Sequence, residues 1–466
     1  MVNAHELANH ICAVLRENGF QSYLVGGCVR DLILHRPPAD YDVATDATPP
    51  QVSAIFPEAL GVGAQFGVML VPDPQRDADS PALTVEVATF RSDVGYSDGR
   101  HPDSVVYTQS AEEDARRRDF TINALFMDPR KDEILDFVGG QQDLRTGVVR
   151  AIGDPVTRFR EDKLRMLRAV RFAARFGYVI SPPTAVAITG MAMGIQEVSA
   201  ERIRDELTKI LTEGAAQRGF ELLDATGLLA VPAVLPEIAA MKGVEQPPQY
   251  HPEGDVWVHT MTMLAQLPAG CPLTLAWGVL LHDVGKPPTF KPPTGPNDRI
   301  RFDGHAEIGA VMAEAICKRL RFSNDDTAQI VALVANHMKF KDAAAMRPAT
   351  MKRFVRLDRF PEHLELHRVD CLSSHRMLQS YDLVRRFIAE TPPEEVRPPR
   401  LLTGEDLKEI GFSAGPVFKE ILAATEDAQL DGRLRTREEA LSWVKSNFAP
   451  GGEGGQASES RTREVI

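Results

Sequence analysis

Two carboxylates, Asp40 and Asp42, stand two residues apart in the stretch ADYDVATD. In a strand, residues at that spacing face the same side. Such a pair repels itself unless a divalent cation bridges it, and a bridged pair can hold Mg2+ for phosphoryl transfer. The same spacing also occurs in solvated turns. Upstream, YLVGG turns straight into VRDLIL, a strand feeding a helix. Gly26 and Gly27 leave amides uncovered at that helix start, where phosphate oxygens bind well. Arg30, one turn in, can add a charge-assisted contact; taken alone, the glycine pair also reads as a tight turn. No GxxxxGK[ST] occurs, which sets aside a Walker-type loop. Glu86, in VEVATF, offers a third carboxylate on a neighbouring strand.

Two arginine-rich stretches follow. RRRDFTINALFMD (116–128) reads as arginines running into an apolar helix. It is either a solvated face or a site where Arg118 meets a triphosphate while Asp119 and Asn123, one turn apart, meet ribose or brace the site. In REDKLRMLRAVRFAARFGY (160–178), Arg165, Arg168, Arg171 and Arg175 fall within an arc of about 120° on a helix, with Met166, Val170, Ala173 and Ala174 opposite. Glu161 stands four residues before Arg165. Arg168, Arg171 and Arg175 instead follow Leu164, Leu167 and Arg171 at that spacing, so phosphate is the expected partner of the stripe. Asp162 and Arg165 set an acceptor pair beside a planar donor fork, an arrangement able to imitate the edge of a base and so choose a nucleotide without a template.

A third constellation is rich in histidine: His259, His282-Asp283, His305, His337 and, far downstream, Asp370. Imidazole nitrogen with carboxylate oxygen suits a transition-metal divalent such as Mn, Fe, Co or Ni. Structural metal binding and plain packing are the other readings.

These residues need a frame. Short apolar runs at 23–27, 66–71, 83–90 and 133–140 read as strands separated by helical segments, an α/β or α+β unit; from about 155 the period is helical. Pro-rich breaks at 244–254, 286–299 and 391–400 mark joints and loops. The expected organisation is a nucleotidyltransferase head at 1–150, a helical neck at 151–245, a histidine-bearing helical domain at 246–390, a helical tail at 391–450 and a disordered end at 451–466. The 466 residues exceed one core, and 65 acidic against 53 basic side chains give a net charge of −12, which argues against a surface that coats nucleic acid non-specifically. Five widely spaced cysteines without a CxxC fit a reducing cytoplasm. The N-terminal stretch lacks a signal-type apolar run, and no run of about 18 apolar residues spans a bilayer.

The ordered motifs GGCVRD, DYD, RRDFTINA, DFVGGQQDL and EDKLRMLRAVRFA resemble those of the bacterial tRNA nucleotidyltransferases, the CCA-adding enzymes, and their relatives the bacterial poly(A) polymerases. The resemblance implies a polymerase-β-type head with an all-α neck, body and tail, and Mg2+-dependent transfer of NMP from CTP and ATP to a tRNA 3′ end, without membrane or DNA partners. It implies that Asp40 and Asp42 hold the metals, that Gly26, Gly27, Arg30 and Arg118 meet the triphosphate, that Asp162 with Arg165 reads the base, and that Arg168 and Arg171 complete the pocket. Residues 90–104 resemble the flexible loop of enzymes that add the terminal A, and 66–68 also look more like the CCA-adding side; an A-adding specialist or a poly(A) polymerase remains the alternative. HDVGK resembles the HD-family phosphohydrolases. That implies a metal-activated water attacking a phosphate ester, such as a 2′,3′-cyclic phosphate on damaged tRNA. His259, His282, Asp283 and Asp370 would form the first metal site, with His305 and His337 at a second metal or on phosphate. An RNA-acting HD hydrolase with a non-catalytic head is the rival from another class. The tail, with Gly411 and Gly415 between helices and Lys408, Lys419 and Arg433 as backbone contacts, is either a plain cap or a tRNA contact.

Overall fold

The computed structural model describes residues 3–62, 66–73, 83–95, 104–295 and 298–449. It divides into two units, residues 1–334 and 335–466, each described by itself.

The first unit opens with α1 (Ala4–Glu17), closed at its start by a reciprocal Asn3–Glu6 capping box and burying Leu7, Ala8, Ile11, Cys12 and Leu15 along one face. There follow β1 (Ser22–Val25), α2 (Gly27–Ile33), β2 (Asp42–Thr45), α3 (Pro49–Ile55), β3 (Val68–Pro72), β4 (Thr84–Thr89), β5 (Arg91–Val94), β6 (Ser104–Tyr107), α4 (Ala111–Arg116), β7 (Leu125–Asp128), β8 (Glu133–Asp136) and α5 (Gly140–Thr146). Six strands form one mixed sheet in the order β3-β4-β2-β1-β7-β8, and β2 with β4 is its parallel pair. Leu24, Val43, Val87 and Phe126 are fully buried, the strand pattern expected where both faces are covered. The stretch 116–128 does not continue as the apolar helix its pattern suggests. Instead a 3-10 turn at Thr121–Asn123 leads into β7, where Phe126 and Met127 pair with Val25 and Leu24 of β1. The antiparallel β5–β6 pair was also missed.

The sheet register sets up the site. Val25, the last residue of β1, pairs with Asp42, the first of β2, and Asp42 pairs in turn with Glu86 on β4. The turn at Gly26 therefore leaves the sheet where the carboxylates gather.

After the short strand β9 (Val148–Val149) the chain is almost wholly helical: α6 (Pro155–Glu161), α7 (Arg165–Phe176), then the short β10 (Val179–Ile180), α8 (Pro182–Met191), α9 (Ala200–Thr212), α10 (Ala216–Ala225), α11 (Pro236–Ala239), α12 (Val256–Leu264), α13 (Leu273–Leu281), α14 (Lys286–Thr289) and α15 (His305–Arg319). α7 packs on α9 and α10. α13 is apolar nearly all round and accordingly buried; its Trp277 Nε1 donates to Thr208 Oγ1 on α9 at 3.0 Å. No helix among the described residues is long and apolar enough to cross a membrane.

The second unit is helical. One core gathers Phe340, Met351, Phe354, Phe360 and Val384. Another gathers Leu402, Leu407, Phe412, Ile421, Ala428, Leu434, Ala440 and Val444 from the C-terminal helices. The expected disordered end, 451–466, lies outside the described residues, as do residues 96–103 of the expected flexible loop.

Candidate active site

The head presents Asp42 partly buried and Asp40 exposed. Asp40 stands two residues ahead of β2, so the pair is held by a strand start and not within one strand as the spacing suggested. Burial first, then the charges of Asp40 and Glu86, push the Asp42 carboxyl up to about 7, while Arg118 works the other way. A half-buried carboxyl beside two other acids is under-neutralised, so the donor set fits a hard divalent cation. Gly26 has φ +79°, and a Cβ there would stand 3.3 Å from Arg118 Nη1 and 3.7 Å from the Asn123 carbonyl. The positive φ favours glycine there, and Arg118 lies close against it. Gly27 begins α2 beside it.

The basic residues are tethered by acids from elsewhere in the chain. Arg118 donates through Nε and Nη2 to Asp114 Oδ2 at 3.1 and 2.9 Å. Arg30, expected on a triphosphate, is instead buried. It donates to Asp31 Oδ1 at 2.8 Å and to Asn123 Oδ1 at 2.6 Å, and its guanidinium lies 4.7 Å from the Phe176 ring centre. It braces α2 against the Thr121–Asn123 turn. Burial works to raise the Asp119 carboxyl, but paired donation from Arg168 at 2.9 and 2.7 Å holds it down at about 2. Asn123 Nδ2 also donates to Asp119, at 3.3 Å, so these two brace the site. Arg171 is buried and pairs with Glu206 at 2.7 Å and Glu213 at 3.3 Å; Arg175 reaches Glu213 at 3.6 Å. The stripe thus has carboxylate partners, and the inference that missing acids at four-residue spacing leave phosphate as the partner is corrected. Those acids are Asp119 of the head for Arg168, and Glu206 of α9 and Glu213 closing it for Arg171 and Arg175, all beyond the reach of a spacing rule.

The stretch 160–178 is two helices. Asp162 ends α6 in an extended conformation (φ −150°, ψ 106°), and Arg165 begins α7. The two residues expected one turn apart on a helix therefore flank a break. Asp162 accepts from the Leu164 amide at 3.0 Å through Oδ1 and from Arg202 at 2.7 Å through Oδ2. Arg165 donates to Glu161 and, at 3.0 Å, to the Arg158 carbonyl. Arg158 in turn donates to the Arg116 and Arg117 carbonyls of the head at 3.0 and 3.1 Å. Arg202 and Arg158 were missed; nothing in their local spacing marks them.

The histidine centre lies in the same unit. His259 on α12, His282 and Asp283 after α13, and His305 at the start of α15 are all buried. Each imidazole meets an oxygen through Nδ1: Glu253 at 2.7 Å for His259, the Val279 carbonyl at 2.8 Å for His282, and the Phe302 carbonyl at 2.8 Å for His305. An oxygen that can only accept fixes the proton on Nδ1 and turns Nε2 toward the centre. The three Nε2 atoms stand 4.0, 3.0 and 3.6 Å from Asp283 oxygens, in that order. Lys286, missed in HDVGK, puts Nζ 2.6 Å from Asp283 Oδ2 and donates to Gln246 Oε1 at 2.6 Å. Burial opposes ionisation of Asp283, yet His282 and Lys286 hold its carboxyl well below the usual range. A Cβ on Gly285 would fall 2.1 Å from the His305 carbonyl, so glycine is what lets this loop approach α15. Three imidazoles oriented through Nδ1 onto one carboxylate fit a borderline divalent metal. Asp370, on the helix Phe360–Ser373, and His337, at the start of a 3-10 segment, belong to the second unit.

Comparison with known proteins gives a consistent result. Family models match in chain order: the poly(A) polymerase head domain over residues 22–150, a segment described as probable RNA and SrmB-binding site of polymerase A over 177–242, and the HD domain over 257–373. A CCA-adding enzyme of Geobacillus stearothermophilus is 43% identical over 216 residues, 46% of this chain and 52% of that protein. One from Latilactobacillus sakei is 39% identical over 255 residues, 54% of this chain and 62% of that protein. The chain spans about half the length of the curated relatives it matches first. Among solved structures, the Bacillus stearothermophilus CCA-adding enzyme in complex with CTP aligns with a TM-score of 0.73 at 26% identity, covering 96% of this chain and 98% of that one. The Thermotoga maritima enzyme complexed with tRNA shares the fold, with a TM-score of 0.56 at 19% identity, 95% of this chain and 94% of that one. The chain is thus similar, in order, to the poly(A) polymerase head domain, to the probable RNA-binding segment of polymerase A and to the HD domain, and over about half its length to CCA-adding enzymes.

Proposed function

We propose that the chain adds CCA to the 3′ end of tRNA from CTP and ATP, releasing pyrophosphate. The observation that carries this reading is the sheet register that sets Asp42 opposite Glu86 and beside the Gly26 turn, with Arg118 against that glycine. The similar proteins support it: their names specify CCA addition, and one of the solved structures contains CTP. Asp40 and Asp42 would hold Mg2+, which when bound supplies the charge that acidifies the primer hydroxyl and steadies departing pyrophosphate. The primer oxygen bonds to the α-phosphorus of the nucleotide as the bond to the β-phosphate bridge breaks in line. Gly26, Gly27 and Arg118 orient the triphosphate; Arg30 and Asn123 keep that turn in place. Asp162 and Arg165 read the base, Arg168 and Arg171 shape the pocket wall, and the Arg158–Glu161–Arg165 chain ties that reader to the head. Positioning and fixed charge carry most of the rate in this scheme.

The same proposal includes the domain plan of a head at 1–150, a neck at 151–245, an HD domain at 246–390, a tail at 391–450 and a terminal segment at 451–466. All five cysteines are buried and unpaired, which supports a reducing cytoplasm. The test is extension of a tRNA ending at the discriminator base with CTP, ATP and Mg2+. Three added nucleotides support the reading; a long homopolymer favours the poly(A) alternative, and a lone A the A-adding specialist.

A second activity is favoured by the histidine centre. We infer that His259, His282, Asp283 and His305 hold a divalent metal of the Mn, Fe, Co or Ni type and that the domain hydrolyses a 2′,3′-cyclic phosphate. Water oxygen bonds to phosphorus, one ring P–O bond breaks, and a monoester and a free hydroxyl result. Hydrolysis of such an ester by a chain carrying Asp40→Ala and Asp42→Ala, and its loss on adding His282→Ala, is the expected outcome.

A further inference from the structure

Glu253 and His251 lie in the Pro-rich segment before α12; Glu253 has entered so far only as the Nδ1 partner of His259, and His251 not at all. Glu253 Oε1 accepts from Nδ1 of His259 at 2.7 Å and from Nδ1 of His251 at 2.8 Å. Its other oxygen, Oε2, is buried and meets no hydrogen-bond donor. The rings of His251 and His259 meet edge to face with centres 4.9 Å apart. The carboxylate is thus committed to two imidazole N–H groups at once.

Resting on the histidine-centre reading above, we propose that Glu253 is the positioning residue of that centre. It holds the Nδ1 proton of His259, which leaves Nε2 as the nitrogen turned toward Asp283, and His251 steadies the carboxylate from its far side. His282 and His305 are held at Nδ1 by main-chain carbonyls; His259 is held at Nδ1 by the Glu253 side chain. The same three residues, His251, Glu253 and His259, are also close enough to hold an ion themselves. The two arrangements exclude each other, because a neutral imidazole has one lone pair: if His259 Nδ1 carries the proton it cannot bind metal there, and if it binds metal there Nε2 carries the proton. The short contacts to Glu253 favour the first.

The experiment is Ni2+ titration calorimetry on the full chain, with CMP and AMP incorporation by the head as the check that each variant is folded. The wild-type chain takes up Ni2+ and His282→Ala loses that uptake. Glu253→Ala keeps the stoichiometry and loses about 10–100-fold in affinity, the usual effect of removing a partner that orients a metal ligand. Glu253→Gln, which can still accept through its amide oxygen, recovers most of the loss. His251→Ala keeps the stoichiometry and weakens binding less than Glu253→Ala does. Wild-type affinity in Glu253→Ala overturns the proposal. So does uptake that survives His282→Ala but vanishes in His251→Ala, since the ion would then sit among His251, Glu253 and His259. A wild-type chain that takes up no Ni2+ fails earlier and sinks the histidine-centre reading itself.

Discussion

Asp42 and Asp283 are aspartates of one unit, both set where a cation is wanted, yet their carboxyls move in opposite directions. Asp42 is pushed up to about 7 by burial first and then by the charges of Asp40 and Glu86. Asp283 is ringed by imidazoles and the Lys286 ammonium and held well below its usual range. The difference teaches that the head site has more negative charge than Arg118 balances and is completed by binding a cation, whereas the histidine centre already holds the Lys286 ammonium on Asp283, and an incoming metal must share that carboxylate with it or displace it.

The largest effect that separates the two concerns chemistry. Asp42→Ala is expected to lower nucleotide incorporation by about 10³-fold or more while tRNA binding, measured by filter retention, stays near wild type. Near-normal incorporation would remove the head site from the mechanism. Lys286→Met attacks the other side of the comparison. It leaves Asp283 buried without its ammonium, a loss of about 3–5 kcal/mol, read as a fall in the thermal midpoint that Ni2+ or Mn2+ restores. An unchanged midpoint would show that the lysine does not balance Asp283.

The pH dependences carry opposite signs. Asp42 has its folded pKa raised from 3.8 to about 7, so the folded chain binds more protons than the unfolded one across that window and its contribution to stability declines as pH rises through it. Asp283 has its folded pKa depressed, so its contribution is present above the unfolded value and is lost as pH falls below it. Mg2+ competes with the Asp42 proton, and its affinity should fall about tenfold between pH 8 and pH 6; Asp42→Asn should flatten that slope. An equal slope in the variant would place the proton elsewhere. The smallest effect belongs to Arg202→Ala, which frees Asp162 Oδ2 from its 2.7 Å partner. Loss of one charged hydrogen bond, about 1.5 kcal/mol, corresponds to roughly a tenfold shift in CTP-against-ATP preference with triphosphate affinity little changed. Equal changes for both nucleotides would deny Asp162 a part in base choice.

Much of this arrangement was readable from residue order. The Asp40/Asp42 pair, the glycine turn and the HDVGK run are local, and chemistry of that kind shows in spacing. Glu86 was legible only as a carboxylate on some neighbouring strand, because the parallel register that puts it opposite Asp42 is a long-range fact. The arginine stripe misled for the same reason. Glu206 and Glu213, which pair with Arg171, come from a different helix, and a spacing rule sees only one helix at a time. The break at Asp162 hid in a pattern whose apolar period continues across it: Leu164 remains buried while the backbone at 162 turns extended. Lys286 was in view in HDVGK, yet only the fold shows that α14 begins by folding its ammonium back onto Asp283.

The most direct measurement of the central claim is the sequence of product ends when the full chain, and beside it Asp42→Ala, is incubated with a tRNA ending at the discriminator base, CTP, ATP and Mg2+. The expected result is C, C and A added in order by the wild-type chain and nothing added by the variant. Ends of another composition, or the same three nucleotides added by Asp42→Ala, would contradict it.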